Sequence, residues 1–231
     1  MNTYLWLITA KTNLHAGNEN SANYGVIDKS VQRDAVTELP CINSSSLKGA
    51  INEYCAHNCK GQLDLLSIFG SDKTNSQAES KKGGAIFFDA KILYLPVQDD
   101  RNLFSYVFSN PIIDELQSRL ALFGKKIADT NSLASVLVQN HDISPISPKE
   151  FAEKCDNENL PIIARNELKN GTSKNLWYEQ VVPAETVFYT LIQEEGESLK
   201  NALDGKVIQI GANATIGYGY CKFKCIEIEN L

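Results

Sequence analysis

Segments with strand character outnumber segments with helical spacing in this chain, and the two kinds alternate. That shortage of full-length helices limits the available folds more than any other feature. TYLWLITA (3–10), AIFFDAKILYLPV (85–97) and SLASVLV (132–138) are rich in aliphatic, β-branched and aromatic residues and read as strands. NLWYEQVVPAETVFYTLI (175–192) reads as two strands around Pro183. KVIQIG (206–211) leads into a glycine-rich bend, and YCKFKCIEIE (220–229) alternates as a half-buried strand does.

Helical signals are fewer. Leu47, Ala50, Ile51, Tyr54 and Cys55 recur at helical spacing, which predicts an amphipathic helix over 46–57 with Ser44–Ser46 capping it. A second helix is predicted from an Asn110 cap through Pro111 to a stop at Gly124, burying Ile112, Ile113, Leu116, Leu120 and Phe123. SPKEFAEKC (147–155) opens with the helix-start pair Ser147–Pro148, and GESLKNALDG (196–205) predicts a short helix. A doubly wound sheet needs more full-length helices than these. The pattern predicts an α+β chain instead, built as a split β-α-β unit of ferredoxin-like or RNA-recognition type. The long polar stretch to about residue 37 and SDKTNSQAESKKGG (71–84) are predicted loops, the latter mobile.

The chain's 231 residues suffice for one substantial core, and 43% hydrophobic with 22% charged residues is ordinary for a folded domain. No apolar run approaches the roughly 20 residues of a membrane span. The start, MNTYLWLITAKTN, carries neither a basic leader nor a small-residue cleavage site, so the expected location is cytoplasmic, with no membrane partner. In that compartment the six cysteines are expected to be free thiols, and packing explains Cys55, Cys59, Cys221 and Cys225 better than zinc. A net charge of -6 argues against gripping nucleic acid with the whole surface, but leaves room for a local basic groove.

Several groups could carry chemistry. GANATIGYG (211–219) precedes a strand and SSSLKG (44–49) lacks a phosphate loop before it, so no nucleotide cofactor is expected. The glycines 211, 217 and 219 suit either a tight chain reversal or close approach to a sugar–phosphate chain. Asp28, between Lys29 and Arg33 in a long loop, is either a turn former or a carboxylate for a divalent ion or phosphodiester chemistry. Arg165, Lys169 and Lys174 surround a predicted hairpin tip at Gly171, followed by Trp177 and Tyr178. That is either a basic nucleic-acid wedge or an exposed hairpin with core aromatics. His15 suits packing better than catalysis, and no serine–histidine triad has support.

Taken in order, these pieces resemble the RAMP superfamily of CRISPR effector subunits. The resemblance rests on LHAG (14–17), IDKSVQRDAVTELPCINSSSLKGAI (27–51), IFG followed by GGAIFFDA (68–90), and IGANATIGYGY (210–220). LWYEQVVPAETVFYTLI (176–192) is most similar to the backbone subunits of type III-B Cmr complexes, with type III-A backbone subunits as the competitor. Arg33–Asp34 stands where the family carries arginine–glutamate, and Gly211–Ala212 where it carries paired glycines.

The resemblance implies one domain over 1–231. It consists of an RNA-recognition-type palm, a polar insertion around 71–84, an inserted helical region around 98–160 and a thumb hairpin around 162–183. It implies a filament of copies along a CRISPR RNA, with other Cmr subunits as partners and complementary target RNA cut at six-nucleotide intervals. Asp28 matches the catalytic position, acting with a divalent ion (Mg or Mn) that it contacts transiently. Guide phosphates and backbone would then meet Lys29, Arg33, Ser44, Ser45, Ser46, Lys48, Arg165, Lys169, Lys174, Trp177, Gly211, Gly217 and Gly219. Two other readings are a guide-binding scaffold that does not cut and a standalone endonuclease using His15.

Overall fold

The computed structural model describes residues 1–17, 27–71 and 81–231. Most of the expected 71–84 insertion and part of the 11–37 stretch therefore lie outside the described residues. In chain order, β1 (Asn2–Ala10) and β2 (Cys41–Ile42) precede α1 (Ser44–Asn58) and α2 (Leu65–Phe69). Then come β3 (Ile86–Phe87), β4 (Ala90–Asp99), β5 (Leu103–Phe108) and α3 (Asn110–Ala121). Next follow β6 (Lys125–Ile127), β7 (Ile143–Pro145), α4 (Pro148–Lys154), β8 (Ile162–Lys169) and β9 (Thr172–Gln180). The chain ends with β10 (Val187–Glu194), α5 (Ser198–Leu203), β11 (Val207–Gln209), β12 (Tyr220–Ile226) and β13 (Ile228–Asn230).

The palm follows from the sheet order. β12, β1, β10 and β4 lie side by side, each neighbouring pair antiparallel. With α1 after β1 and α5 between β10 and β12, this is the β-α-β-β-α-β order of a ferredoxin-like unit. β5 and β7 extend the sheet beyond β4, and β11 extends it beyond β12.

Leu5, Trp6, Leu7 and Ile8 of β1 are all wholly buried, and every residue of β10 is buried. Such runs arise only when both sheet faces are covered. RNA-recognition sheets stack bases on an open face; here that face is filled, so a polynucleotide must be met at the ends of the strands and in the loops. A 3₁₀ helix at Thr130–Val136 supplies part of the cover, packing on β1 and β12. This replaces the strand expected over 132–138. It buries Leu133, Leu137 is buried just past its end, and Asp129 caps it by accepting from Asn131 N–H.

Other corrections have local causes. The 85–97 strand breaks at Phe88–Asp89, and the 220–229 strand breaks at Glu227, after which β13 pairs with β6. Residues 98–160 hold β5, β6 and β7 as well as α3 and α4, so the inserted region is mixed rather than helical. Ser109, not Asn110, is the N-cap of α3, because Asn110 already lies inside the helix. α4 forms with a full capping box between Ser147 and Glu150. The cysteines are free, and burial pushes the thiols of Cys41, Cys55, Cys155 and Cys221 up to about 12, which makes them inert packing groups. No helix among the described residues is long and apolar enough to cross a membrane.

Candidate nucleic-acid interface

β8 and β9 form an antiparallel ribbon that pairs with no strand of the palm sheet, with Gly171 in the left-handed conformation at its tip. Its root is locked to the Asp28 loop. The N–H groups of Asp28 and Lys29 donate to Tyr178 O, and Gln180 N–H donates to Lys29 O. Tyr178 N–H donates to Asp28 Oδ2 at 2.8 Å. Asp28 is exposed, and no hydrogen bond from another described residue reaches its Oδ1.

Behind that loop stands Glu179, whose side chain is 1% exposed. Lys29 Nζ and Arg165 Nη1 each lie 3.4 Å from one of its oxygens. Trp177 Nε1–H donates to Oε1 at 3.4 Å and Asn213 Nδ2–H to Oε2 at 2.8 Å. Burial alone would raise this carboxyl; the Trp177 N–H, the charges of His15 and Lys29 and the Asn213 amide hold it below the usual carboxylate range. Lys29 Nζ is 5.2 Å and Arg165 Cζ 5.8 Å from the Trp177 ring centroid, so both cations also meet the indole. One buried carboxylate thus joins the thumb root, the Asp28 loop and the glycine-rich loop.

Glu179, Asn213 and Gln32 are the residues that sequence reasoning missed. Gln32, 8% exposed, donates through Nε2 to Gly17 O and Ser46 Oγ, and its Oε1 accepts the Asn43 N–H at 2.8 Å. The usable signal for Glu179 was strand alternation, which puts it on the same face of β9 as Trp177.

The start of α1 differs from expectation. Asn43 is the N-cap and makes no side-chain cap; Ser44–Ser46 lie inside the first turn. The Ser44 N–H is taken by Asp89 Oδ1 at 2.6 Å, and Ser46 Oγ accepts from Gln32. Asp89 reaches this amide because it sits in the break between β3 and β4. Ser45 remains exposed, and half-buried Lys48 has no ion pair among the described residues.

Arg33 turns inward. Its Nη1 donates to Glu38 O and Cys155 O at 2.7 and 2.8 Å, while Nε and Nη2 are buried without partners among the described residues. Burial lowers its pKa. This guanidinium anchors the end of α4 rather than facing a solvent-borne phosphate. Gly211 and Gly219 are explained by the protein's own backbone: a Cβ there would collide with His15 O and Ile210 O. Gly217 has open space around it. Lys169 and Lys174 are exposed near the tip, with no ion pair among the described residues. His15 is 3% exposed, its Nδ1 2.7 Å from Gln180 O, a packed position.

Among the described residues no three His, Cys, Asp or Glu side chains come close enough to hold a metal ion. With Oδ2 held by Tyr178, Asp28 offers one remaining oxygen. Among the described residues the donor set does not make a resident site for the divalent ion that the resemblance implies.

Residues 7–222 match the family model of the RAMP superfamily. The chain belongs to the RAMP superfamily. This RAMP chain is 28% identical over 295 aligned residues to the CRISPR system Cmr endoribonuclease Cmr4 of Pyrococcus furiosus, covering all of this chain and 98% of that protein. It is 34% identical over 118 residues to the CRISPR system Cms endoribonuclease Csm3 of Streptococcus thermophilus, covering 46% of this chain and 52% of that one. Its fold is shared with oligomeric Cmr4 from Pyrococcus furiosus (TM-score 0.71, 21% identity, all of both chains). It is shared equally with a chain of the type III-B Cmr-beta complex bound to cognate target RNA (TM-score 0.72, 17% identity, 97% of both chains).

Proposed function

We propose that this RAMP chain is the guide-RNA-binding backbone subunit of a type III-B effector complex, and that it cuts complementary target RNA with Asp28. The observation that carries the reading is an exposed carboxylate fixed at the root of a protruding basic hairpin. The matching relative over full length is named as a Cmr endoribonuclease, which agrees with it.

The chemistry asks little of the protein. Tyr178 N–H fixes the Asp28 carboxylate, so the second oxygen points from a defined position. Asp28 orients and takes the proton of the 2′-hydroxyl beside the scissile phosphate. That oxygen attacks phosphorus as the bond to the 5′-oxygen breaks, the 5′-oxygen takes a proton from solvent water, and the products are a cyclic phosphate and a 5′-hydroxyl. Lys29, half exposed, adds positive charge beside the reacting phosphate. Lys169 and Lys174 hold backbone at the hairpin tip, and Ser45, Lys48 and Gly217 line the guide's path. A divalent ion, where one takes part, comes with the RNA, which supplies most of its ligands.

Reconstitution of the complex with guide and target tests this. The Asp28→Ala complex is expected to assemble and bind target yet give no ladder of cuts at six-nucleotide intervals. An intact ladder moves cutting to another group and leaves a scaffold.

A further inference from the structure

The sequence holds a single Asn–Gly dipeptide, Asn170–Gly171, and the fold puts it at the tip of the thumb. Lys169 pairs with Thr172 across the ribbon, so Asn170 and Gly171 form a two-residue loop with φ of 51° and 78°. Positive φ at both positions is the type I′ turn that Asn-Gly favours.

Two groups able to react with each other lie side by side there, and neither is engaged. Among the described residues the Asn170 carboxamide has no hydrogen-bond partner, and the Gly171 N–H makes no backbone bond. Both residues are exposed, and nothing lies within 4 Å of where a Cβ at 171 would stand, so the approach is open. β8 and β9 pair only with each other, and an isolated two-stranded ribbon is marginally stable in water. Opening of the tip lets the glycine nitrogen reach the carboxamide carbon. Lys169 and Lys174 flank the turn with no ion pair among the described residues, and their charge favours the nitrogen that has lost its proton.

Related positions are locked. Asn213 spends its amide on Glu179. At Asp204–Gly205 the glycine N–H donates to Phe223 O at 2.9 Å, and Asp204 Oδ1 accepts from Cys225 N–H at 2.9 Å.

We propose that Asn170 is a self-modification site, whose deamidation places a negative charge within the basic thumb tip. The Gly171 nitrogen gives its proton to hydroxide and bonds to Asn170 Cγ; the Cγ–Nδ2 bond breaks, and ammonia leaves with a proton from water. Water then opens the five-membered imide. Breaking the new bond gives aspartate, and breaking the original peptide bond gives isoaspartate. Water enters and ammonia leaves, with no oxidant or reductant. The consequence rests on the reading that Lys169 and Lys174 hold RNA backbone. Aspartate offsets one of those two cations, and isoaspartate also adds a methylene to a backbone turn that has room for two residues.

The test incubates the full chain for days at mildly acidic and mildly alkaline pH, then digests it after glutamate. The peptide 168–179 carries both Asn170 and Asn175, an internal control followed by the bulky Leu176 within β9. Mass spectrometry is expected to show Asn170 converting, faster at alkaline pH, while Asn175 stays intact. Asn170→Gly keeps a turn-compatible pair and is expected to keep the parent's salt slope of guide binding through the same incubation. Asn170→Asp, equally turn-compatible, is expected to lower that slope by about one, as the aged parent does. The proposal fails if Asn170 stays intact, if Asn175 converts as fast, or if the Asn170→Asp slope equals the parent's. Peptide mapping uses no RNA and none of these readouts uses Asp28. An intact cleavage ladder with an unmodified Asn170 therefore removes this proposal alone, and deamidation without a ladder removes the cutting reading alone.

Discussion

The thumb root and the start of α1 both read as phosphate sites from sequence, and the folded chain treats them differently. At the root, a buried acid gathers cations and an indole behind an exposed carboxylate. At the helix start, an acid from the break between β3 and β4 occupies the leading amide, and a glutamine uses one of the three hydroxyls. A helix N-terminus attracts whatever anion is nearest, and here Asp89 arrives before any ligand. Polar residues near a helix start therefore do not make a phosphate site until the partners of each donor are known.

Breaking the root has the largest expected effect. Glu179→Ala leaves Lys29, Arg165, Trp177 and Asn213 facing an empty buried position and is expected to cost about 3 kcal/mol in urea denaturation. A loss below roughly 1 kcal/mol would mean that the cluster is a surface ornament. The same carboxyl sets an acid limit. Its pKa is depressed in the folded chain, so its contribution is present above the ordinary value of 4.5 and lost as pH falls through the lower folded value. Trp177 fluorescence, isolated by Trp6→Phe, is expected to change in that range, and a flat acid titration would contradict the linkage.

Asp34 offers a smaller break outside both regions. Burial would raise its carboxyl, but the Thr37 N–H and hydroxyl, Lys91 and the Val36 N–H hold it at about 2. Its stabilisation is present above 3.8 and lost as pH falls toward 2. Asp34→Ala is expected to cost about 2 kcal/mol at neutral pH, with the difference from the parent chain shrinking in acid.

At the helix start the effects are smaller still. Asp89→Ala is expected to cost about 1 kcal/mol and to uncover the Ser44 amide for an anion. Guide affinity that rises in this variant would sharpen the contrast, because it would show Asp89 excluding phosphate. Lys48→Ala is expected to lower the salt slope of guide binding by about one; an unchanged slope would place Lys48 off the RNA path.

The palm was readable because β1, β4, β10 and β12 carry continuous or alternating apolar residues, and α1 buries Leu47, Ile51 and Cys55 at four-residue spacing. The 132–138 segment was not readable as helix because its leucines and valines also suit a strand. The Asp28 position was marked by the resemblance, whereas Glu179 was hidden. Its partners come from residues 29, 165, 177 and 213, far apart in sequence, and strand alternation places it on the Trp177 face without showing that this face is buried. Arg33 misled for the opposite reason: a cation near Asp28 in sequence turns away to hold the backbone carbonyls of Glu38 and Cys155.

The most direct test of the account is single-turnover target cleavage by the reconstituted complex carrying Asp28→Asn. Asparagine can still accept the Tyr178 N–H through its side-chain oxygen, so the loop keeps its shape while the proton acceptor is lost. The account predicts a rate lower by about 10²–10⁴-fold with target affinity unchanged. Cleavage at close to the parent rate would contradict it.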